Sequence, residues 1–198
     1  MAESVVLPGS RDVRGSLDTG SADRCVVACP PHPQFGGNRS DRRLTSVAEA
    51  LADREIACLR FDYGPWARGH GELDDAKNAV SYAHDRFTRV GLFGYSFGGS
   101  IALLAARGDG VRCVSALAPG GRLADDLDPV IALDSVSVPV QVIYGERDTT
   151  TDWQPVVDRA AALGMSVTAM GADHHFVGQH RKVAELVADF VAEHLATA

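Results

Sequence analysis

The chain has 198 residues, of which 45% are hydrophobic and 23% charged, and its formal net charge at pH 7 is −7. This length fits one domain, which we expect to span residues 1–198, and the acidic balance disfavours nucleic acid as a partner because nucleic-acid binders carry clustered positive charge. The apolar runs are far shorter than the roughly 20 residues that cross a bilayer, and residues 1–8 do not resemble a signal peptide. We therefore expect no membrane association and a cytoplasmic location.

Two β-like pieces lie within residues 4–21, on either side of Pro8-Gly9. They are predicted to pair as an antiparallel hairpin at the edge of a sheet. From residue 24 onward, short apolar runs alternate with amphipathic patterns, and this alternation is typical of βαβ units around a parallel sheet. The predicted elements are, in chain order, strand 24–29, helix 40–54, strand 56–61, helix 73–87, strand 89–93, helix 100–107, strands 111–117 and 138–144, helix 154–163, strand 165–170 and helix 179–196.

Local signals refine two helix starts, and the length of one connection indicates its role. Ser40 is the predicted N-cap of the first helix, and Asp74 and Asp75 are predicted to open the second, where a carboxylate suits the positive end of the helix dipole. Residues 118–137 are too few for a lid domain, and we expect them to form a short flap or wall beside the functional site.

Four cysteines, at positions 25, 29, 58 and 113, stand in apolar stretches and form no Cys-x-x-Cys pair. Such positions are typical of buried free thiols. The residues between Cys25 and Cys29 supply no further metal ligand, so the sequence predicts neither a metal site nor a cofactor.

The run Gly94-Tyr95-Ser96-Phe97-Gly98-Gly99 connects a predicted strand to a predicted helix. In a Gly-x-Ser-x-Gly turn the serine stands where the backbone is strained and closely packed, so its neighbours must be small. Glycine-rich turns also bind phosphate or serve packing alone, and the pentapeptide by itself leaves those interpretations open. Its position between a strand and a helix favours Ser96 as a catalytic nucleophile.

A serine nucleophile needs an adjacent imidazole to take its proton and an acid to orient that imidazole. Asp148 and His174 follow predicted strands 138–144 and 165–170, at the edge of the sheet where open α/β folds place their sites. The chain order Ser, Asp, His is that of α/β-hydrolase triads. We therefore predict a triad of Ser96, His174 and Asp148.

Alternatives remain for two members of this triad. Asp152 or Glu146 could be the acid, and Asp148 is favoured by its position after the strand. His175 is the alternative base, because neighbouring loop residues point in different directions and only one of them can face the serine.

An acyl-transfer site also needs two backbone N–H groups for the oxyanion. Phe97, directly after the nucleophile, is the predicted first donor. Gln34 is the predicted second donor, in the proline- and glycine-rich segment 30–37, where Pro31 and Pro33 have no N–H to donate.

The chain resembles small, lid-poor predicted hydrolases of the α/β-hydrolase superfamily that are related to dienelactone hydrolases. The resemblance rests on four segments in order, at residues 30–37, 59–64, 94–99 and 171–174. It implies an α/β-hydrolase fold, with a mostly parallel twisted sheet, helices on both faces and no large lid domain. Dienelactone hydrolases themselves have a cysteine nucleophile where this chain has Ser96, so the resemblance does not imply dienelactone as the substrate.

The predicted function is metal-free hydrolysis of a small-molecule carboxylic ester or thioester through an acyl-enzyme on Ser96. An acyltransferase is the first alternative, because it differs only in whether an alcohol or water reaches the acyl-enzyme. A catalytically silent binding module with this fold is the second. The sequence indicates neither the physiological acyl group nor the oligomeric state.

Overall fold

The computed structural model describes residues 2–18, 23–108 and 110–196. Its eight strands form one sheet in the order β1-β2-β4-β3-β5-β6-β7-β8, in which β1, β2 and β4 pair antiparallel and all other neighbours pair parallel. The predicted mostly parallel sheet is therefore confirmed. The strands are β1 (Ala2–Leu7), β2 (Val13–Asp18), β3 (Arg24–Cys29), β4 (Ala57–Asp62), β5 (Arg89–Tyr95), β6 (Val114–Leu117), β7 (Val140–Gly145) and β8 (Ser166–Met170).

Helices cover both faces of the sheet, as predicted. They are α1 (Arg42–Ala52), α2 (His70–His84), α3 (Phe97–Ala105), α4 (Pro129–Ala132), α5 (Gln154–Ala162) and α6 (His180–Ala196), with 3-10 turns at Pro33–Phe35 and Leu133–Ser135. The apolar sides of α1 and α6 enclose one core with the sheet, and those of α2, α3 and α5 enclose the other. Within the described ranges no helix is both long and apolar enough to span a bilayer.

The most deeply buried strands lie at the middle of the sheet. Strands β3 and β5 at the middle of the sheet are buried on both faces, as expected where helices cover both sides of a parallel sheet. The four cysteines are free and buried, which confirms that prediction. Burial raises the pKa of the Cys25, Cys29 and Cys113 thiols to about 12, so all three are protonated at neutral pH.

Several predicted helix starts were wrong in detail, among them that of α3, which begins at Phe97 and not at residue 100. Asp41, and not Ser40, caps α1, and its Oδ1 accepts the N–H of Arg43 at 2.9 Å. Helix α2 begins at His70, three residues earlier than predicted, because the Glu72 carboxylate accepts the N–H of Gly69 at 2.7 Å and so fixes the first turn. Helix propensity alone does not reveal a cap of this kind, in which a side chain of the first turn accepts the N–H of the residue before the helix.

The segment 118–137 also differs from its prediction. It carries α4 and a 3-10 turn, and α4 packs on α3 and α5. Ser100 of α3 donates to the carbonyl of Gly120 at 2.8 Å. None of its residues, all of which are described, lines the cleft at Ser96, so this segment is no wall of that cleft. Its apolar residues, including the buried Leu127 and Leu133, serve packing instead.

The predicted N-terminal hairpin is confirmed for the described part of residues 4–21, whereas residues 19–21 lie outside the described ranges. Arg11, in its turn, donates to Asp75 at 2.8 Å and to Glu72 at 3.3 Å. Both carboxylates are fully buried, and burial raises the pKa of Asp75 even with the guanidinium beside it. Arg11 therefore attaches the hairpin to α2 by neutralising two buried acids.

Replacing Arg11 with Met is expected to lower the free energy of unfolding by about 3 kcal/mol, because it leaves two buried carboxylates without their cation. Urea unfolding at neutral pH measures this loss. The matched control is Arg14→Ala, which breaks the exposed pair with Asp12 and is expected to cost less than about 1 kcal/mol. Equal losses for both variants would contradict the assignment.

Candidate active site

Ser96 occupies the one-residue turn between β5 and α3, with φ 58° and ψ −123°. A positive φ is uncommon for a residue with a side chain and costs free energy that the surrounding packing must supply. The N–H of Ser96 donates to the carbonyl of Leu117 on β6 at 2.8 Å, which holds the strained residue against the sheet. The hydroxyl therefore projects from the carboxyl edge of the sheet.

The glycines around Ser96 are required by backbone contacts. A Cβ on Gly94 would lie 2.0 Å from the carbonyl oxygen of Gly98, and a Cβ on Gly98 would lie 2.2 Å from that of Cys29 and 2.3 Å from that of Pro30. These are backbone atoms that cannot rotate away. The Gly-x-Ser-x-Gly pattern thus lets α3 start directly against the ends of β5 and β3.

The structure brings Ser96, His174 and Asp148 together at this edge. His174 Nε2 lies 3.0 Å from Ser96 Oγ, and His174 Nδ1 lies 2.7 Å from Asp148 Oδ2. A carboxylate only accepts hydrogen bonds, so Nδ1 carries the proton of the neutral ring and Nε2 is left as the acceptor for the serine hydroxyl. The His174 and Asp148 side chains are 6% and 0% exposed, so both are shielded from water.

Asp148 is held by its own loop. Its Oδ1 accepts the N–H of Thr150 at 2.8 Å and, at 3.3 Å, that of Thr151, whose hydroxyl donates to Oδ2 at 3.1 Å. The indole N–H of Trp153 donates to the Asp148 carbonyl at 3.0 Å. The carboxylate that faces His174 is therefore fixed in orientation, whereas neither Asp152 nor Glu146 makes a hydrogen bond to that ring among the described residues.

The two neighbouring histidines point in different directions. His174 contacts Ser96, whereas His175 lies on the cleft wall, and the two rings are edge to face with centroids 5.4 Å apart. The N–H of His175 donates to Asp173 at 3.0 Å. Only His174 has the geometry of a base for Ser96.

The segment 30–37 folds over the start of α3 as a short 3-10 turn. The N–H of Gln34 donates to His32 Nδ1 at 3.3 Å and so turns toward that ring. This bond argues against Gln34 as the second oxyanion donor, because the same hydrogen cannot also point at a substrate. The N–H of Phe97 has no acceptor among the described residues, as a donor awaiting a ligand would.

His32 is a site residue that sequence reasoning missed. Its ring contacts the rings of Phe35, Trp66 and Phe97, with centroid distances of 4.8, 4.5 and 4.8 Å. Burial lowers the pKa of His32, with the Glu72 carboxylate opposing, so the ring is neutral at pH 7 and its Nδ1 stays available to Gln34. The position of His32 between two prolines was the only signal in the sequence.

A cleft of about 240 Å³ opens above Ser96. Phe35, 87% exposed, stands at its rim, and the ion pair of Asp41 and Arg43, with Oδ2 and Nη2 2.5 Å apart, lies in its wall. Sequence reasoning missed Arg43, whose place in a helix pattern gave no signal for the site. Among residues 2–18, 23–108 and 110–196, no three His, Cys, Asp or Glu side chains are grouped as metal ligands would be.

The model of the dienelactone hydrolase family matches residues 61–191, about two-thirds of the chain and including Ser96, Asp148 and His174. The chain belongs to the dienelactone hydrolase family. Family and fold together indicate an α/β hydrolase that acts on a small molecule. No curated protein matches the chain.

Solved structures of this family's fold are similar over nearly the whole chain. A lidless α/β serine hydrolase from Xanthomonas campestris has 22% identity and a TM-score of 0.82, covering 100% of this chain and 96% of its own. An α/β serine hydrolase homologue from Coxiella burnetii has 22% identity and a TM-score of 0.81, with 95% and 96% covered. Est1E from Butyrivibrio proteoclasticus has 20% identity and a TM-score of 0.82, with 98% and 99% covered. These likenesses confirm the predicted α/β-hydrolase fold without a large lid.

Acidification is expected to weaken the segment 30–37. The pKa of His32 is lower in the folded chain than its ordinary 6.5, so the stability that the neutral ring gives is complete above about pH 6.5 and is lost as pH falls through the lowered value. The control His32→Asn keeps a side-chain acceptor for the N–H of Gln34 and does not titrate. Urea unfolding between about pH 7.5 and about pH 5 is expected to show wild type losing stability relative to this variant. A pH-independent difference between the two would contradict the role of His32.

Proposed function

We propose that this protein is a carboxylesterase-like serine hydrolase that cleaves a small ester or thioester through an acyl-enzyme on Ser96. The observation that carries the proposal is the continuous hydrogen-bonded line from Ser96 Oγ through both nitrogens of His174 to Asp148 Oδ2, with distances of 3.0 and 2.7 Å. A structural role alone would not require a strained serine, a nearly buried imidazole and a buried carboxylate in this order.

In the acylation step, Ser96 Oγ attacks the carbonyl carbon while its proton passes to His174 Nε2. Asp148 keeps the proton on Nδ1 and stabilises the imidazolium that forms. The tetrahedral intermediate then expels the alcohol or thiol, which takes the proton from Nε2. Water attacks the resulting acyl-enzyme by the same route, releases the acid and restores the Ser96 hydroxyl.

Two backbone N–H groups supply the oxyanion site in this mechanism. Phe97 gives the first, since its N–H at the start of α3 has no acceptor in the described part of the chain. The second donor is sought among the N–H groups of the segment 30–37. The prolines of this segment have no N–H. Acceptors within the segment already bind the N–H groups of Gln34, Phe35, Gly36 and Gly37. The N–H of His32, which has no acceptor among the described residues, is therefore the donor that we propose in place of Gln34.

The cleft favours a small substrate. Its walls combine the exposed ring of Phe35 with the paired charges of Asp41 and Arg43, which neutralise each other. Its volume of about 240 Å³ is smaller than the roughly 300–1,000 Å³ of most ligand sites. A short ester with an apolar group against Phe35 fits these walls.

The proposal is tested by labelling with a fluorophosphonate, which reacts covalently with an activated serine. Wild type is expected to be labelled, and Ser96→Ala is expected to show no labelling. Ser81→Ala, a change to an exposed serine of α2, is the control and is expected to label like wild type. A folded wild type that resists labelling would overturn the proposed function.

The two histidines provide a second, independent test of the same proposal. His174→Ala is expected to lower kcat for a short p-nitrophenyl ester by about 1,000-fold or more, because the general base is lost. His175→Ala is expected to lower it by less than about tenfold, since that ring lies on the wall and does not contact Ser96. Equal losses would show that the base is assigned wrongly.

A further inference from the structure

Two side chains, those of Tyr95 and Arg43, stack behind the proposed base, His174. The guanidinium of Arg43 lies over the ring of Tyr95, with Cζ 4.3 Å from the ring centroid. The ring of Tyr95 in turn packs on that of His174, with centroids 5.3 Å apart and an angle of 33° between the planes. Tyr95 borders the cleft at Ser96, but it is only 2% exposed, so its ring offers little surface to a substrate.

The hydroxyl of Tyr95 connects this stack to the backbone of the histidine loop. It donates to the carbonyl oxygen of His174 at 3.0 Å, and the bond is buried. Asp148 orients the imidazole, but it does not fix where the backbone of His174 lies. The Tyr95 hydrogen bond fixes the position of this backbone, because it links the loop after β8 to the end of β5.

Tyr95 is also the residue that precedes Ser96. The path from the Ser96 hydroxyl to the His174 carbonyl therefore runs through two consecutive residues, Ser96 and the last residue of β5, and one hydrogen bond. A short, rigid path of this kind fixes the distance between Oγ and Nε2 against movement of the longer loop. Misplacing a reacting group by about 1 Å can cost about a hundredfold in rate.

The far side of the stack is anchored as well. Asp41 accepts the N–H of Arg43 at 2.9 Å and its Nη2 at 2.5 Å, and the two side chains are only 13% and 16% exposed. The Nε of Arg43 is buried and has no hydrogen-bond acceptor among the described residues. The electron-rich face of the Tyr95 ring lies under this guanidinium and attracts its positive charge.

We propose that Tyr95 is a positioning residue, which holds His174 at the distance needed to take the proton of Ser96, and that Arg43 keeps the ring of Tyr95 in place. This inference rests on the proposed hydrolase function. It assigns no contact between Tyr95 and the substrate. It therefore predicts an effect on the chemical step and little effect on substrate binding.

The test compares Tyr95→Phe with Tyr82→Phe. Tyr82 is a matched control, since it is a buried tyrosine of α2 whose ring carries the guanidinium of Arg86 at 3.6 Å, in a helix that takes no part in the triad. Tyr95→Phe is expected to lower kcat for a short p-nitrophenyl ester by about tenfold or more, with KM changed less than about twofold. Tyr82→Phe is expected to leave both constants at their wild-type values.

A spectroscopic readout separates positioning from a general loss of stability. In wild type, the proton on His174 Nδ1 that bridges to Asp148 is expected to give a downfield NMR signal, absent in His174→Ala. In Tyr95→Phe this signal is expected to broaden or shift, because the ring is less firmly held. Arg43→Met is expected to lower kcat several-fold, as Tyr95→Phe does. Arg86→Met, which removes the guanidinium over Tyr82, is the control and is expected to keep the wild-type kcat.

The outcomes distinguish this inference from the proposed function. If wild type is labelled by fluorophosphonate but folded Tyr95→Phe keeps the wild-type kcat and NMR signal, the positioning role is wrong and the hydrolase function stands. A rise in KM with kcat unchanged in Tyr95→Phe would also overturn it, since Tyr95 would then act on binding. If wild type is not labelled, both proposals fail together.

Discussion

The strained backbone of Ser96 is the constraint on which the rest of the site depends. A φ of 58° aims the hydroxyl out of the sheet, and it is stable only because β5, β6 and α3 surround it. The same geometry requires glycine at positions 94 and 98, where any Cβ would overlap backbone oxygens. The end of β5, the start of α3 and the direction of the Ser96 hydroxyl are thus set by one structural feature.

The parallel sheet brings Asp148 and His174 to Ser96. Because β5, β7 and β8 run in the same direction, the loops after them meet at one edge, and Ser96, Asp148 and His174 reach one another across it although 78 residues separate the first from the last. Burial of Asp148 and His174 then limits how the imidazole can be oriented. A carboxylate shielded from water and fixed by two threonines leaves the imidazole a single orientation.

The sequence predicted what depends on local pattern: the order of strands and helices, the glycine-rich turn and the position of Asp148 and His174 after their strands. It did not predict contacts between distant segments. The role of Gln34 was assigned from composition, whereas the hydrogen bond from its N–H to His32 depends on how the turn folds. Arg11 pairs with Asp75 across 64 positions, and no periodicity reports such a pair. Residues 118–137 looked like a wall because of their length, but their apolar side chains pack on α3 and α5 instead.

A crystal structure of the protein after reaction with a small fluorophosphonate would test the proposed roles of Ser96, His174 and the two N–H donors together. We expect phosphorus bonded to Ser96 Oγ and His174 Nε2 beside the adduct. One phosphonyl oxygen should lie within hydrogen-bond distance, about 2.7–3.1 Å, of the N–H groups of both Phe97 and His32. Phosphorus on any other residue, or a phosphonyl oxygen that contacts neither N–H group, would contradict these roles.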